Sequence, residues 1–245
     1  MSLLPGLLLI KRTNVAHGVP VSPLFEISRV FLPQPTASKA EANCAEVLPH
    51  ERTVLAVLSD ATLLELKGVL EQLLDVAGLR EQAVFEPLDE SFFSAGQAAR
   101  IRLGDEVFGV MGEVSEAVAD RFDLPNSPRV AEVDFDLFVR KANLERTYAH
   151  IPAFPEANRD IAVLVDDAVP WATLRDTLAG LEIPILERIR FFDLFRGKQV
   201  PKGKKSVAFS LTFRAPDRTL RSEEVEEARQ SCIKALVGLG AELRQ

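Results

Sequence analysis

The chain has 245 residues, 47% hydrophobic and 27% charged, the balance of ordinary soluble globular proteins, and it is long enough for one large core or two smaller ones. Its two cysteines, Cys44 and Cys232, stand far apart with no partner at metal-ligand or redox-motif spacing, which argues against a zinc site or a disulfide framework. A net charge of −7 taken alone disfavours nucleic acid, yet residues 1–148 carry 14 Lys and Arg against 22 Asp and Glu, whereas 149–245 carry 15 against 14.

Residues 2–17 place leucines at 3, 4, 7 and 8, the spacing of one helix face, with Pro5 near the first turn where a missing N–H costs little. The apolar run is broken by that proline and its positive charges follow it, the reverse of a secretory signal; no stretch approaches the roughly 18 apolar residues of a membrane span. A cytoplasmic protein is expected. LFEISRVF (24–31) alternates as a half-buried strand does, and 52–59 reads as another, with a loop over 33–49 between them. Residues 61–78 align Leu63, Leu66, Leu70, Leu73 and Leu74 on one helical face, with Gly78 suited to the C-terminal cap. Strands at 98–103 and 107–111 flank Gly104-Asp105, a two-residue hairpin signal. A helix at 115–122 and a strand at 129–137 complete an α+β domain on an antiparallel sheet.

Residues 138–150 are polar and lack strong periodicity, so the boundary falls there, between domains at 1–145 and 149–245. Beyond it come a strand (158–165), a helix (169–179), two strands (187–195 and 205–213), a long helix (222–239) and a short strand (240–244). That order, β-α-β-β-α-β, is the ferredoxin-like signature, with helices on one side of the sheet and an open face on the other. Ser222 is the expected N-cap of the long helix, with Glu223 and Glu224 in its first turn.

Within 196–221 lie eight cations, Arg196, Lys198, Lys202, Lys204, Lys205, Arg214, Arg218 and Arg221, against one acid, Asp217. With a screening length of about 8 Å at physiological salt, a nearby phosphate feels this segment more than the distant acids. RGKQVPKGKK is a Gly- and Pro-bearing turn from which the ammonium groups of Lys198, Lys202, Lys204 and Lys205 project, either as a solvated hairpin tip or to follow a phosphate backbone without reading bases.

FPEANRDIAVLVD (154–166), FFDLFRGKQVPKGKKSVAFSLTFR (191–214), DRTL (217–220) and GAELR (240–244) resemble, nearly end to end, the ferredoxin-fold anticodon-binding domain of the β subunit of bacterial phenylalanine–tRNA ligases. SLLPGLL (2–8), LFEISRVF (24–31), ARI (99–101) and FGVMGEV (108–114) resemble the class II synthetase-like domain that precedes it. Ser28 stands where that family usually has glycine, and 94–98 departs from its common pattern.

The resemblance implies a piece of a longer subunit that is not itself catalytic. Arg29 is the only candidate for a phosphate-binding arginine on the first strand, no GxGxxR follows, and His17, His50 and His150 show no catalytic pairing. No cofactor is expected in the fragment; ATP and magnesium would serve the parent enzyme. The partners implied are tRNA(Phe) and the catalytic α subunit, in an α2β2 assembly.

The resemblance also implies RNA contacts by Arg196, Lys198, Lys202, Lys204, Lys205, Arg214 and Arg218. Phe195 stands where the family often has tyrosine, and on the open face its ring would stack an unpaired base. Arg159 either pairs with Asp160 at the strand end or reaches RNA. For Phe191, Phe192, Phe209 and Phe213, strand alternation favours core burial in at least half. The rival reading is a purely structural module whose basic hairpin meets acidic protein surface.

Overall fold

In the computed structural model the described residues are 2–19, 23–32, 49–145, 148, 151–197 and 199–244. The expected 33–49 loop (apart from Pro49), Cys44, His150 and Lys198 lie outside them. The chain divides into two compact units, Met1–Thr147 and Tyr148–Gln245, and its class is α+β with two antiparallel sheets.

In the first unit, α1 (Leu4–Ala16), β1 (Leu24–Leu32), β2 (His50–Ser59), α2 (Leu63–Val76), β3 (Ala83–Pro87), β4 (Phe93–Leu103), β5 (Glu106–Val114), α3 (Glu116–Arg121), β6 (Arg129–Asp134) and α4 (Phe135–Lys141) follow in order. The strands make one sheet ordered β1-β2-β6-β5-β4-β3. Alternation splits β2 between two cores. Ala56 and Leu58 join Leu4, Leu7 and Leu8 of α1 on one face, whereas Leu55 joins Leu66, Leu70 and Leu74 of α2 on the other. Each buried leucine contributes about 1.5–3 kcal/mol of transfer free energy, so both helices are fixed by their apolar stripes.

Thr62 caps α2: its hydroxyl accepts the Glu65 N–H at 3.3 Å while the Glu65 carboxylate accepts the Thr62 N–H at 2.7 Å. At the other end Gly78 takes φ +68°, which leaves the Leu79 N–H free to reach the Leu74 carbonyl at 2.8 Å.

Two elements differ from the sequence-based expectation. The strand expected to reach 137 stops at Asp134, whose carboxylate accepts the Leu137 N–H at 2.8 Å and starts α4, which replaces the strand's expected end and from Phe138 runs into the segment read as irregular. β3, a short edge strand paired with β4, was not anticipated; five residues, three of them Ala83, Glu86 and Pro87, carry little strand signal.

The second unit contains β7 (Ala157–Asp166), α5 (Trp171–Ala179), β8 (Leu186–Phe195), β9 (Lys204–Phe213), α6 (Ser222–Gly238) and β10 (Glu242–Leu243), with sheet order β10-β7-β9-β8. This is the ferredoxin-like arrangement. Ile161, Val163 and Val165 of β7 and Val207, Phe209, Leu211 and Phe213 of β9 face α5 and α6, burying Leu174, Leu178, Val225, Cys232 and Leu236. Thus Phe209 and Phe213 are core, whereas Phe191 and Phe192 remain 37% and 53% exposed. The N-cap of α6 is Arg221 rather than Ser222: the Glu224 carboxylate reaches back to the Arg221 N–H at 2.9 Å, so the cap is made by an acid in the first turn.

The remaining parity of each strand forms the open face. Small side chains floor it, Ser206, Ala208 and Ser210 on β9 beside Asn158, Asp160 and Ala162 on β7. β8 closes one edge, and its pairing puts Arg188, Arg190, Asp193 and Phe195 on this face, opposite Thr212, Ser210, Ala208 and Ser206.

Candidate nucleic-acid interface

The β8–β9 hairpin tip is folded, not splayed. The Val200 N–H donates to the Gly197 carbonyl at 2.9 Å, the Lys204 N–H to Pro201 at 3.1 Å, and the Asp167 N–H, from the β7–α5 loop, to the Gly203 carbonyl at 2.9 Å. Asp167 holds the tip a second way, through a 2.8 Å ion pair with Arg196.

That geometry changes the charge the tip displays. Lys204 pairs with Glu242 of β10, and this hydrogen bond raises its pKa. Arg214, largely covered, meets Glu156 at 2.8 Å and Glu187 at 3.3 Å. Arg218 donates twice to Glu224 at 2.8 Å, raising the arginine's pKa and lowering the carboxylate's. Four of the eight cations, Arg196, Lys204, Arg214 and Arg218, are therefore met in space by acids from other elements.

Lys205 departs from the expectation of a projecting ammonium. It is 6% exposed, because it shares strand parity with Val207 and Phe209 and so points to the helix-covered face. Its Nζ donates to the Asp167 carbonyl at 2.8 Å. Burial lowers its pKa, nearby Arg196 adds to that, and Asp167 opposes it.

Arg159 does not pair with Asp160; neighbours on a strand point to opposite faces, and its guanidinium donates to the Asn158 carbonyl at 2.9 Å on the side facing α6. Arg159, Arg214 and Arg218 thus do not join the tip. Arg214 is eight residues along β9 from Ser206, about 27 Å at strand rise.

What the structure does gather at the tip end is Phe195, Arg196, Lys202 and Lys204. Lys202 is exposed and makes no ion pair with any described residue. Phe195 is 40% exposed and lies over Gly197, where a Cβ would come within 2.6 Å of its ring. Over the ring stands Arg244, its guanidinium 5.6 Å from the centroid, held by Ser206 Oγ at 3.2 Å and Gln199 Oε1 at 3.3 Å. Sequence reasoning passed over Arg244. The available signal was topological: in βαββαβ order the last strand lies beside the first, so a cation just after it reaches the open face.

In the first unit Arg29 is an exposed partner of Glu51 at 3.0 Å, and His17 Nδ1 lies 2.7 Å from the Thr13 carbonyl. Among the described residues no group of three His, Cys, Asp or Glu is placed to hold a metal ion, and no helix is long and apolar enough to cross a membrane.

The βαββαβ order and the sheet left open on one side define a ferredoxin-like domain, whose open face carries an exposed aromatic ring and a guanidinium. Residues 152–244 match the ferredoxin-fold anticodon binding domain, and residues 1–135 match the phenylalanyl tRNA synthetase beta chain CLM domain. The chain belongs to the phenylalanine–tRNA ligase β subunit family.

It is 35% identical over 234 residues to the phenylalanine–tRNA ligase β subunit of Clostridium acetobutylicum, covering 94% of this chain and 28% of that protein. With the β subunit of Clostridium tetani it shares 34% over 234 residues, 94% of this chain and 29% of the relative. With that of Dechloromonas aromatica it shares 39% over 181 residues, 74% and 22% respectively. The chain therefore spans less than a third of the length of these relatives.

Proposed function

We propose that this chain is a non-catalytic part of a phenylalanine–tRNA ligase β subunit, with a synthetase-like domain at 1–145 and an anticodon-binding domain at 149–245. In this reading the second domain binds the anticodon region of tRNA(Phe) during ATP- and magnesium-dependent aminoacylation in the cytoplasm. The first packs against the catalytic α subunit of an α2β2 heterotetramer. An apolar groove of about 330 Å³ between β1 and α2, lined by Phe25, Ile27, Val57 and Val69 among others, supports a protein contact there.

The observation that carries the RNA reading is the exposed Phe195 ring next to Gly197 and Arg244, with unpaired Lys202 at the same end of the hairpin. Phe195 supplies a stacking surface, and Arg196, Lys202 and Arg244 supply phosphate contacts. Lys198 belongs to the same turn in sequence. The purely structural reading is favoured by one observation for part of the basic run: Arg196, Lys204, Lys205, Arg214 and Arg218 already have acidic or carbonyl partners inside the domain, and of these Arg196 keeps the most exposed side chain, at 56%. Arg159 on the opposite face falls with them.

Titration of the chain with phenylalanine tRNA at two salt concentrations tests this. Log affinity falls with log salt by about 0.7–0.9 per phosphate contact, and Arg196→Ala with Lys202→Ala flattens the slope by about two contacts' worth. A wild-type chain whose tRNA affinity is absent, or independent of salt, refutes it.

A further inference from the structure

β8 and β9 slip register between Phe191, which faces Phe209, and Asp193, which faces Ala208; Phe192 is the extra residue. A bulge of this kind places two residues of one strand against one of its partner and re-aims a side chain. Phe192 keeps the parity of Arg188 and Arg190, away from the α5–α6 core where Phe191 packs 5.5 Å from Trp171, and is 53% exposed on the outer edge strand; the slip brings Asp193 and Phe195 to that same face.

Without the slip, strand parity would still place Phe192 on the open side; with it, Phe192 and Asp193 share that side, and Phe195 follows three residues on, about 10 Å along the strand. Arg190, two residues before, is exposed on the same face and forms no ion pair with any described residue. Asp193 and Asp160 are the carboxylates on this part of the face.

An exposed ring on a sheet edge is a liability for strand-to-strand association unless it has a partner. Beside an unpaired guanidinium and in line with Phe195, the partner that fits is an unstacked base whose phosphate meets a cation.

We infer that Phe192, which the β8 bulge places on the same face as Phe195, is a second base-stacking position for single-stranded RNA, with Arg190 on the adjoining phosphate. This rests on the anticodon-binding reading and adds a ring to it. The loop RNA would then run along the β8 edge, from Arg190 and Phe192 to Phe195 and Arg244.

The full chain is titrated with an RNA stem-loop carrying a fluorescent purine analogue in its loop, and with the same stem closed as a blunt duplex. Phe192→Leu keeps apolar bulk and removes the π-face. It weakens stem-loop binding by about 5- to 150-fold, reduces quenching of the analogue, and leaves duplex binding and the salt slope unchanged. Phe192→Trp restores both signals, which a merely structural role does not explain, and thermal unfolding confirms that both variants fold.

If wild type binds the stem-loop and Phe192→Leu binds equally well, the second stacking position is wrong while the anticodon-binding reading stands. If wild type fails to bind the stem-loop, both fall.

Discussion

Gly197→Ala perturbs the interface with one carbon atom. A Cβ there would lie 2.6 Å from Phe195 Cζ, 3.0 Å from Cε1 and 3.4 Å from Cε2, with no other heavy atom closer. Carbon atoms sit at about 3.5–4.0 Å, so the ring must retreat by about 1 Å. Gly197 is not in a left-handed conformation, so alanine adds no backbone strain. Phe195 is 40% exposed and has room to swing outward, so the unfolding free energy should change by less than about 0.5 kcal/mol. The Arg244 guanidinium, 5.6 Å from the centroid, is already near the roughly 6 Å limit of a cation–π contact, and that contact is lost as the ring moves. Losing about half of a stacking interaction of about 1–3 kcal/mol, or about 0.5–1.5 kcal/mol, corresponds to a roughly 2- to 12-fold drop in RNA affinity. Fluorescence titration with the anticodon stem-loop, paired with thermal melting, reads both quantities. An unchanged affinity with an unchanged melting temperature refutes the idea that glycine is there to seat the ring; a large fall in stability refutes the claim that the ring yields.

Two further outcomes are expected. Glu65, Glu156 and Glu224 have pKa values held below the ordinary 4.5, foremost by hydrogen bonds from the Thr62 N–H, the Asn158 amide and the Arg218 guanidinium respectively. Because the folded values are the lower ones, their contribution is complete above about pH 4.5 and is lost as pH falls through the folded values, so melting temperature should drop on acidification and Glu224→Gln should drop less. An identical acid profile for wild type and variant counts against the Arg218–Glu224 contribution. Cys232 is fully buried and its thiol is pushed up to about 11 by burial, so in a Cys44→Ser background a maleimide at neutral pH should label the chain only on unfolding. Rapid labelling of the native protein shows that the α6 core opens.

Helix and strand positions were legible from local pattern, because an apolar stripe or an alternating run needs no knowledge of the rest of the chain. The leucines of α2 and the βαββαβ order of the second unit are examples. The short strand β3 was missed since its pairing with β4 supplies what its own residues lack. Lys205 was misjudged although its parity with Val207 and Phe209 was readable. A count of charge along the chain ignores the face on which each charge lies.

The sequence by itself determined the two-part division of charge, the α+β elements, and the residues that carry the family resemblance. Only the tertiary structure decided which cations remain available. Ion pairs form between residues far apart in sequence, Arg196 with Asp167 at a separation of 29 and Lys204 with Glu242 at 38, and no local pattern announces them. The same holds for Arg244 over Phe195 and for the bulge at Phe192, since both arise from register, which is set by how strands pair rather than by the strand itself.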